Sequence, residues 1–134
     1  MTLARVRAWF NRLPPYEQDL PLLIVDGMAY TPRAALQEVE RGTPLGARLQ
    51  ALIESGRFGT SAVDEVALAK LRLIQILARY PPDRPLVATL GSLELPGRAY
   101  TPRELIEEIR METPRGAQWI RAEAEHMRRL VRLR

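Results

Sequence analysis

Cysteine is absent from this chain, and asparagine, histidine and lysine occur once each, as Asn11, His126 and Lys70. Without cysteine there is no disulfide, no thiolate metal site and no cysteine nucleophile. His126 has no second histidine to share a metal with, and its place between Glu125 and Met127 reads as a surface side chain. Serine is confined to Ser55, Ser61 and Ser92, none in a nucleophile-elbow sequence, and neither a Walker loop nor a dinucleotide fingerprint occurs. No enzyme, cofactor or metal is therefore expected. Long apolar runs are missing too. No stretch approaches the roughly eighteen uncharged apolar residues of a membrane span. Arginines interrupt Met1 to Arg12, where a signal peptide would carry an apolar core. The expectation is a soluble protein without membrane insertion, cytoplasmic or packaged in a virion.

The scarcity of lysine makes nineteen of the twenty basic side chains arginine. Two origins stay open. Arginine suits bidentate contacts to phosphate and carboxylate, and a GC-rich genome would enrich it without any ligand. Few thermolabile side chains beside eleven prolines fit a thermophilic source.

What the chain has instead is a stretch that occurs twice. Gly27 to Ala47 reads GMAYTPRAALQEVERGTPLGA and Gly97 to Ala117 reads GRAYTPRELIEEIRMETPRGA, with eleven of twenty-one positions identical. This reads as a tandem duplication. Thr31-Pro32, Thr43-Pro44, Thr101-Pro102 and Thr113-Pro114 each place a side-chain oxygen at an N-cap and a proline at the first helical position, where its missing N–H costs nothing. Thr101 with Glu104 completes a capping box, which Ala34 denies the first copy. Each unit is then a short strand or turn carrying Tyr, a helix, a tight corner and a second helix. Gly46 and Gly116, in the first turn of that second helix, would let another backbone come close.

Arg33 and Arg103 fall in a first turn, where a cation opposes the helix dipole by about 0.3 to 1 kcal/mol. Three compensations are open. Glu107 can pair with Arg103 at i,i+4, although Gln37 offers nothing to Arg33; an external phosphate would serve both copies; or each arginine is solvated or meets a distant carboxylate. Glu104, Glu107, Glu108 and Glu112 form an acidic face that could hold a hard cation. The first copy keeps only Glu38 and Glu40, so dipole complement and ion pairing are the expected roles.

Residues 2–13 read as an amphipathic helix with Leu3, Val6, Phe10 and Leu13 on one stripe and Arg5, Trp9 and Arg12 on another. Trp9 then either grips a nucleic-acid backbone beside its arginines or packs against a neighbouring helix beneath them. Pro14-Pro15 ends this helix and makes it a basic N-terminal arm. The apolar runs Pro21–Val25 and Leu86–Leu95 either pair as a small two-stranded sheet or leave the chain all-α. A helix from Pro44 to Glu54 turns Leu45, Leu49, Leu52 and Ile53 inward. The most apolar helix runs from Ser61 to Tyr80, with Val63, Val66, Ala67, Leu71, Ile74 and Leu77 on its inner side and Leu68, Leu73 and Ile76 widening it. Such a helix is a central strut or half of an oligomer interface. The last helix, Pro114 to Arg134, puts Ala117, Ile120, Ala124, Met127 and Val131 on one face and Arg121, Arg128 and Arg132 on another. The fold class is mainly α, a bundle of two tandem helix-turn-helix copies. Residues 1–15 are the arm, 16–80 the first repeat with the apolar helix, and 81–134 the second repeat, together one compact domain.

Charge is uneven along the chain. Residues 1–13 hold three arginines and no acid, residues 114–134 hold six arginines against Glu123 and Glu125, and the middle holds eleven basic and fourteen acidic side chains. Basic ends are a recognised sign of nucleic acid or an anionic surface, and equally suit docking on acidic subunits or the helix dipole. The Arg5-Arg7-Arg12 arm, the Pro14-Pro15 break and the helical body make the chain resemble, in type, the coat proteins of filamentous double-stranded DNA viruses of hyperthermophilic archaea. That resemblance implies helices that wrap the duplex and subunits that assemble around it. The acidic middle would then face neighbours or solvent. Contacts to phosphate are expected from Arg5, Arg7, Trp9, Arg12, Arg33, Arg103, Arg115, Arg121, Arg128, Arg129 and Arg132, without base reading. The alternative is a protein-interaction or regulatory subunit that docks through its apolar helix and duplicated motif.

Overall fold

In a computed structural model that describes residues 3–86 and 99–132, the protein is mainly helical with a small two-stranded antiparallel sheet. Its elements are α1 (Leu3–Arg12), α2 (Pro15–Gln18), β1 (Leu23–Val25), β2 (Met28–Tyr30), α3 (Pro32–Arg41), α4 (Pro44–Ser55), α5 (Ala62–Leu77), α6 (Pro102–Met111) and α7 (Pro114–Val131). Two compact units divide the chain, Met1–Leu68 with Met127–Arg134 and Ala69–His126. The cuts fall inside α5 and α7, not at Pro15 or Pro81.

All four Thr-Pro pairs start helices. The hydroxyls of Thr31, Thr43, Thr101 and Thr113 accept from the amides of Ala34, Gly46, Glu104 and Gly116 at 2.9 to 3.1 Å. The Thr101 box is complete, since Glu104 accepts in return from the Thr101 amide. A Cβ on Gly46 would run into the backbone carbonyl of Glu38, and one on Gly116 into that of Glu108. Glycine there is what lets each helix start against the end of the one before it.

In the first unit, α1 and α4 both pack on α3, and α4 also touches β1. Val6, Phe10 and Leu13 are buried as their spacing demands, together with Leu22, Leu23, Leu49, Ile53 and Phe58. The sheet is a hairpin. Leu23 pairs with Tyr30, Ile24 with Ala29 and Val25 with Met28, around a turn in which Asp26 and Gly27 both have positive φ, 52° and 76°. Asp-Gly is the sequence that such a turn requires. Among the described residues the partner of β1 is the chain's own next segment, while most of the expected partner, Leu86–Leu95, lies outside them. Of that run only Leu86 lies among the described residues, where it exchanges two backbone hydrogen bonds with Tyr100.

In the second unit, Leu105, Ile109, Trp119, Ile120 and Ala124 are buried, and the Trp119 and Tyr100 rings meet edge to face at 6.1 Å. Arg72 and Glu123 face each other at 3.7 Å, and both are almost fully buried. The α5 helix corrects the expected orientation. Leu68, Ala69, Leu73 and Leu77 are buried, whereas Val63, Val66, Ala67 and Leu71, expected inward, are exposed and Ile74 is half-buried. The two faces are almost equally apolar, so tertiary packing decides between them, and Arg72 goes inside because Glu123 is there to receive it.

Candidate docking face and the arginines

Helical spacing places Val63, Ala67, Leu71, Ile74 and Ala78 along one line of α5, which the Ala78 amide extends by bonding to the Ile74 carbonyl at 2.8 Å. Val63 is 79% exposed and Leu71 37%. Lys70, beside this line, is held by Glu112 at 3.2 Å, so the line itself carries no free charge among the described residues. An outward apolar stripe on a helix whose opposite side already fills a core has a second surface to cover.

Most of the arginines expected to meet phosphate are occupied within the chain. Arg33 donates to Asp19 from Nε at 2.8 Å and lies over the Phe10 ring. Arg103 does the same to Asp83 at 3.0 Å, with its Nη2 on the second oxygen. A distant carboxylate is thus the compensation for the first-turn cation at both Arg33 and Arg103, and Glu107 is not Arg103's partner. The Arg33 hydrogen bond and charge hold the Asp19 carboxyl below the ordinary aspartate value, and Arg103 acts likewise on Asp83. Both guanidinium pKa values are raised by the same contacts. Arg7 meets Glu40 at 3.5 Å, Arg128 meets Glu65 at 2.8 Å, and Arg115 donates to the Tyr100 hydroxyl while lying over that ring.

Trp9 is not exposed. Its side chain is buried and its indole N–H donates to the Leu130 carbonyl, so α1 belongs to the first unit and is no free arm. Arg5 and Arg129 are exposed, each with a contact of its own inside the chain, and His126 is half-buried. Of Glu104, Glu107, Glu108 and Glu112, all but Glu107 have internal partners among the described residues. Glu104 caps Thr101, Glu108 reaches the Thr113 hydroxyl and Glu112 takes Lys70. That leaves Arg12, Arg121 and Arg132, all exposed and without a carboxylate partner among the described residues.

No family model, curated protein or solved structure matches the chain.

Arginines outside the expected set are also exposed and unpaired among the described residues: Arg57, Arg79, Arg84 and Arg110. Arg57 follows the last turn of α4 and is exposed and unpaired. Its neighbour Gly56 is covered by the aliphatic stem of Arg132, 3.1 Å from where a Cβ would stand. Charge totals gave no pointer to Arg57, because it lies in the net acidic middle of the sequence.

Proposed function

We propose that the protein is a non-catalytic assembly subunit that pairs with a second copy of itself through the outward line of α5. The observation that carries this is the order of side chains along that line. When two copies cross antiparallel between Lys70 and Leu71, Val63 faces Ala78, Ala67 faces Ile74 and Lys70 faces Leu71. Large stands opposite small at the first two of these, which is how close-packed helix pairs interdigitate, and one two-fold axis satisfies both chains at once. Lys70 keeps its ammonium on Glu112 and lends its stem to the seam.

Sedimentation over a concentration series tests it. The wild-type chain is expected to move from monomer to dimer, and Leu71→Glu, on an exposed position, to stay monomeric with unchanged helicity. A wild-type chain that is monomeric throughout would sink the reading.

A second reading rests on a separate observation. Arg12, Arg57, Arg121 and Arg132 are exposed and unpaired among the described residues, which is what a subunit coating duplex DNA through phosphates needs. Anisotropy of a random-sequence duplex across a salt series separates the two. Binding whose log–log slope corresponds to several phosphates, and that falls in Arg57→Gln/Arg132→Gln, supports a coat built from the assembled subunit. Absence of binding at low salt leaves assembly without nucleic acid.

A further inference from the structure

The first unit holds a cavity of about 300 Å³ beside the α4 C-terminus. That is the lower end of the range in which proteins hold small molecules. Val25 at the end of β1 and Ala51 and Leu52 on α4 give it an apolar floor, and Ser55, Arg57 and Thr60 stand among its polar lining groups.

The walls are fixed before anything enters. The loop after α4 is tied to β1 by the Ile24 amide, which donates to the Phe58 carbonyl at 2.8 Å, and to α4 by the Arg57 amide, which donates to Leu52 at 3.0 Å. Gly59 lies so close to β1 that a Cβ would come within 2.8 Å of Ile24 Cγ2. A site whose walls do not have to be ordered on binding loses little affinity to that ordering.

The charge balance selects the ligand. Arg48 also lines the cavity, but both of its terminal nitrogens are on the Asp26 carboxylate, and the pair cancels. Ser55 spends its proton on the Leu52 carbonyl at 2.9 Å, so its oxygen is left to accept. Among the described residues, Arg57 has no carboxylate partner and the Thr60 hydroxyl has no hydrogen-bond partner. One uncompensated cation and one free donor therefore stand at the edge of an apolar floor.

We infer that this cavity binds small monoanions with an apolar body, the carboxylate on the Arg57 guanidinium with help from Thr60, and the hydrocarbon on Val25, Ala51 and Leu52. Arginine and carboxylate match as a two-point contact. The proposal is independent of pairing through α5, because every lining residue lies outside that helix.

Calorimetric titration of the whole chain with octanoate, acetate and hexanol tests it, with Arg57→Gln, Ala51→Phe and Arg79→Gln, which does not line the cavity, as variants. Octanoate is expected to bind, and acetate and hexanol, which carry only the head or only the body, to bind far more weakly. Loss of the charged hydrogen bond in Arg57→Gln should weaken octanoate about tenfold or more. Ala51→Phe, which fills the floor from an exposed position, should do the same without unfolding the chain, and Arg79→Gln should change nothing. Octanoate that does not bind, that binds no better than acetate, or that binds Arg57→Gln and Ala51→Phe as well as the wild type would overturn the assignment.

Discussion

Trp9, on the first helix, donates its indole N–H to the backbone carbonyl of Leu130 at 2.9 Å, joining residues 121 positions apart in sequence, and both side chains are buried. Leu130 lies in the last turn of α7, where helix carbonyls in general lack an intrahelical donor, and among the described residues the indole is its hydrogen-bond donor. Trp9→Phe keeps most of the ring but orphans that carbonyl, and is expected to cost about 1 to 3 kcal/mol. Trp9→Ala, which also leaves a cavity, should cost about 3 to 5 kcal/mol. Urea denaturation measures both. A Trp9→Phe chain of unchanged stability would show that the contact is not formed in solution.

Gly46 and Gly116 should resist alanine. In an ordinary helix interior the change from glycine to alanine stabilises by about 1 kcal/mol. Here the added methyl meets a backbone carbonyl in each case, so Gly46→Ala and Gly116→Ala should each destabilise by about 1 to 3 kcal/mol. Thermal melts of the two variants decide the sign, and a stabilised variant would mean that the helix pair does not close as tightly as described.

The pairs Asp19–Arg33 and Asp83–Arg103 set an acid dependence. Each carboxyl is held below its ordinary value chiefly by the hydrogen bond from its arginine. A folded pKa below the unfolded one means that the stabilisation is complete above the unfolded value of about 3.9 and is lost as pH falls through the lower folded value. The groups are exposed, so the effect at neutral pH is small and shrinks in salt. Carboxyl chemical-shift titration should place both midpoints below that of an ordinary aspartate and return them to it in Arg33→Gln and Arg103→Gln. Midpoints that the arginine substitutions leave in place would count against the pairs.

Arg72 and Glu123 behave differently because they are buried. Removing one partner leaves the other's buried charge under-compensated, so Arg72→Met or Glu123→Leu alone should cost about 3 to 5 kcal/mol, and the double change much less than the sum of the two. A double-mutant cycle by chemical denaturation reads the coupling directly. Additive losses would show that the two charges are solvated separately.

The parts of this fold that could be read from sequence are those decided within a few residues. A Thr-Pro cap needs only its own next turn, and all four pairs start helices where they stand. The hairpin is decided at the same short range, by the Asp26-Gly27 turn, but the expected pairing passed over that signal for the apolar run around Leu86, which suggests a partner only by its composition. Asp19 and Asp83 were not legible as partners of Arg33 and Arg103, because they lie 14 and 20 residues upstream in a separation that no helix or strand period marks. For α5 the difficulty was of another kind. Apolar residues occur on every side, so periodicity cannot say which face is inside, and only the neighbours of Leu68, Leu73 and Leu77 settle it. The same ambiguity hid the candidate docking face among what looked like core residues.

Because the chain has no cysteine, introduced cysteines report the proposed pairing without background. Positions 63 and 78 lie fifteen residues apart on one helical path, about 22 Å, so neither can reach its own counterpart in an antiparallel pair. A disulfide needs Cα atoms within roughly 7 Å. Mixed and mildly oxidised, a Val63→Cys chain and an Ala78→Cys chain should give a covalent dimer of one of each, while either variant alone should stay unlinked. Absence of the mixed dimer, or an equal yield from Val63→Cys alone, would contradict antiparallel self-assembly through α5.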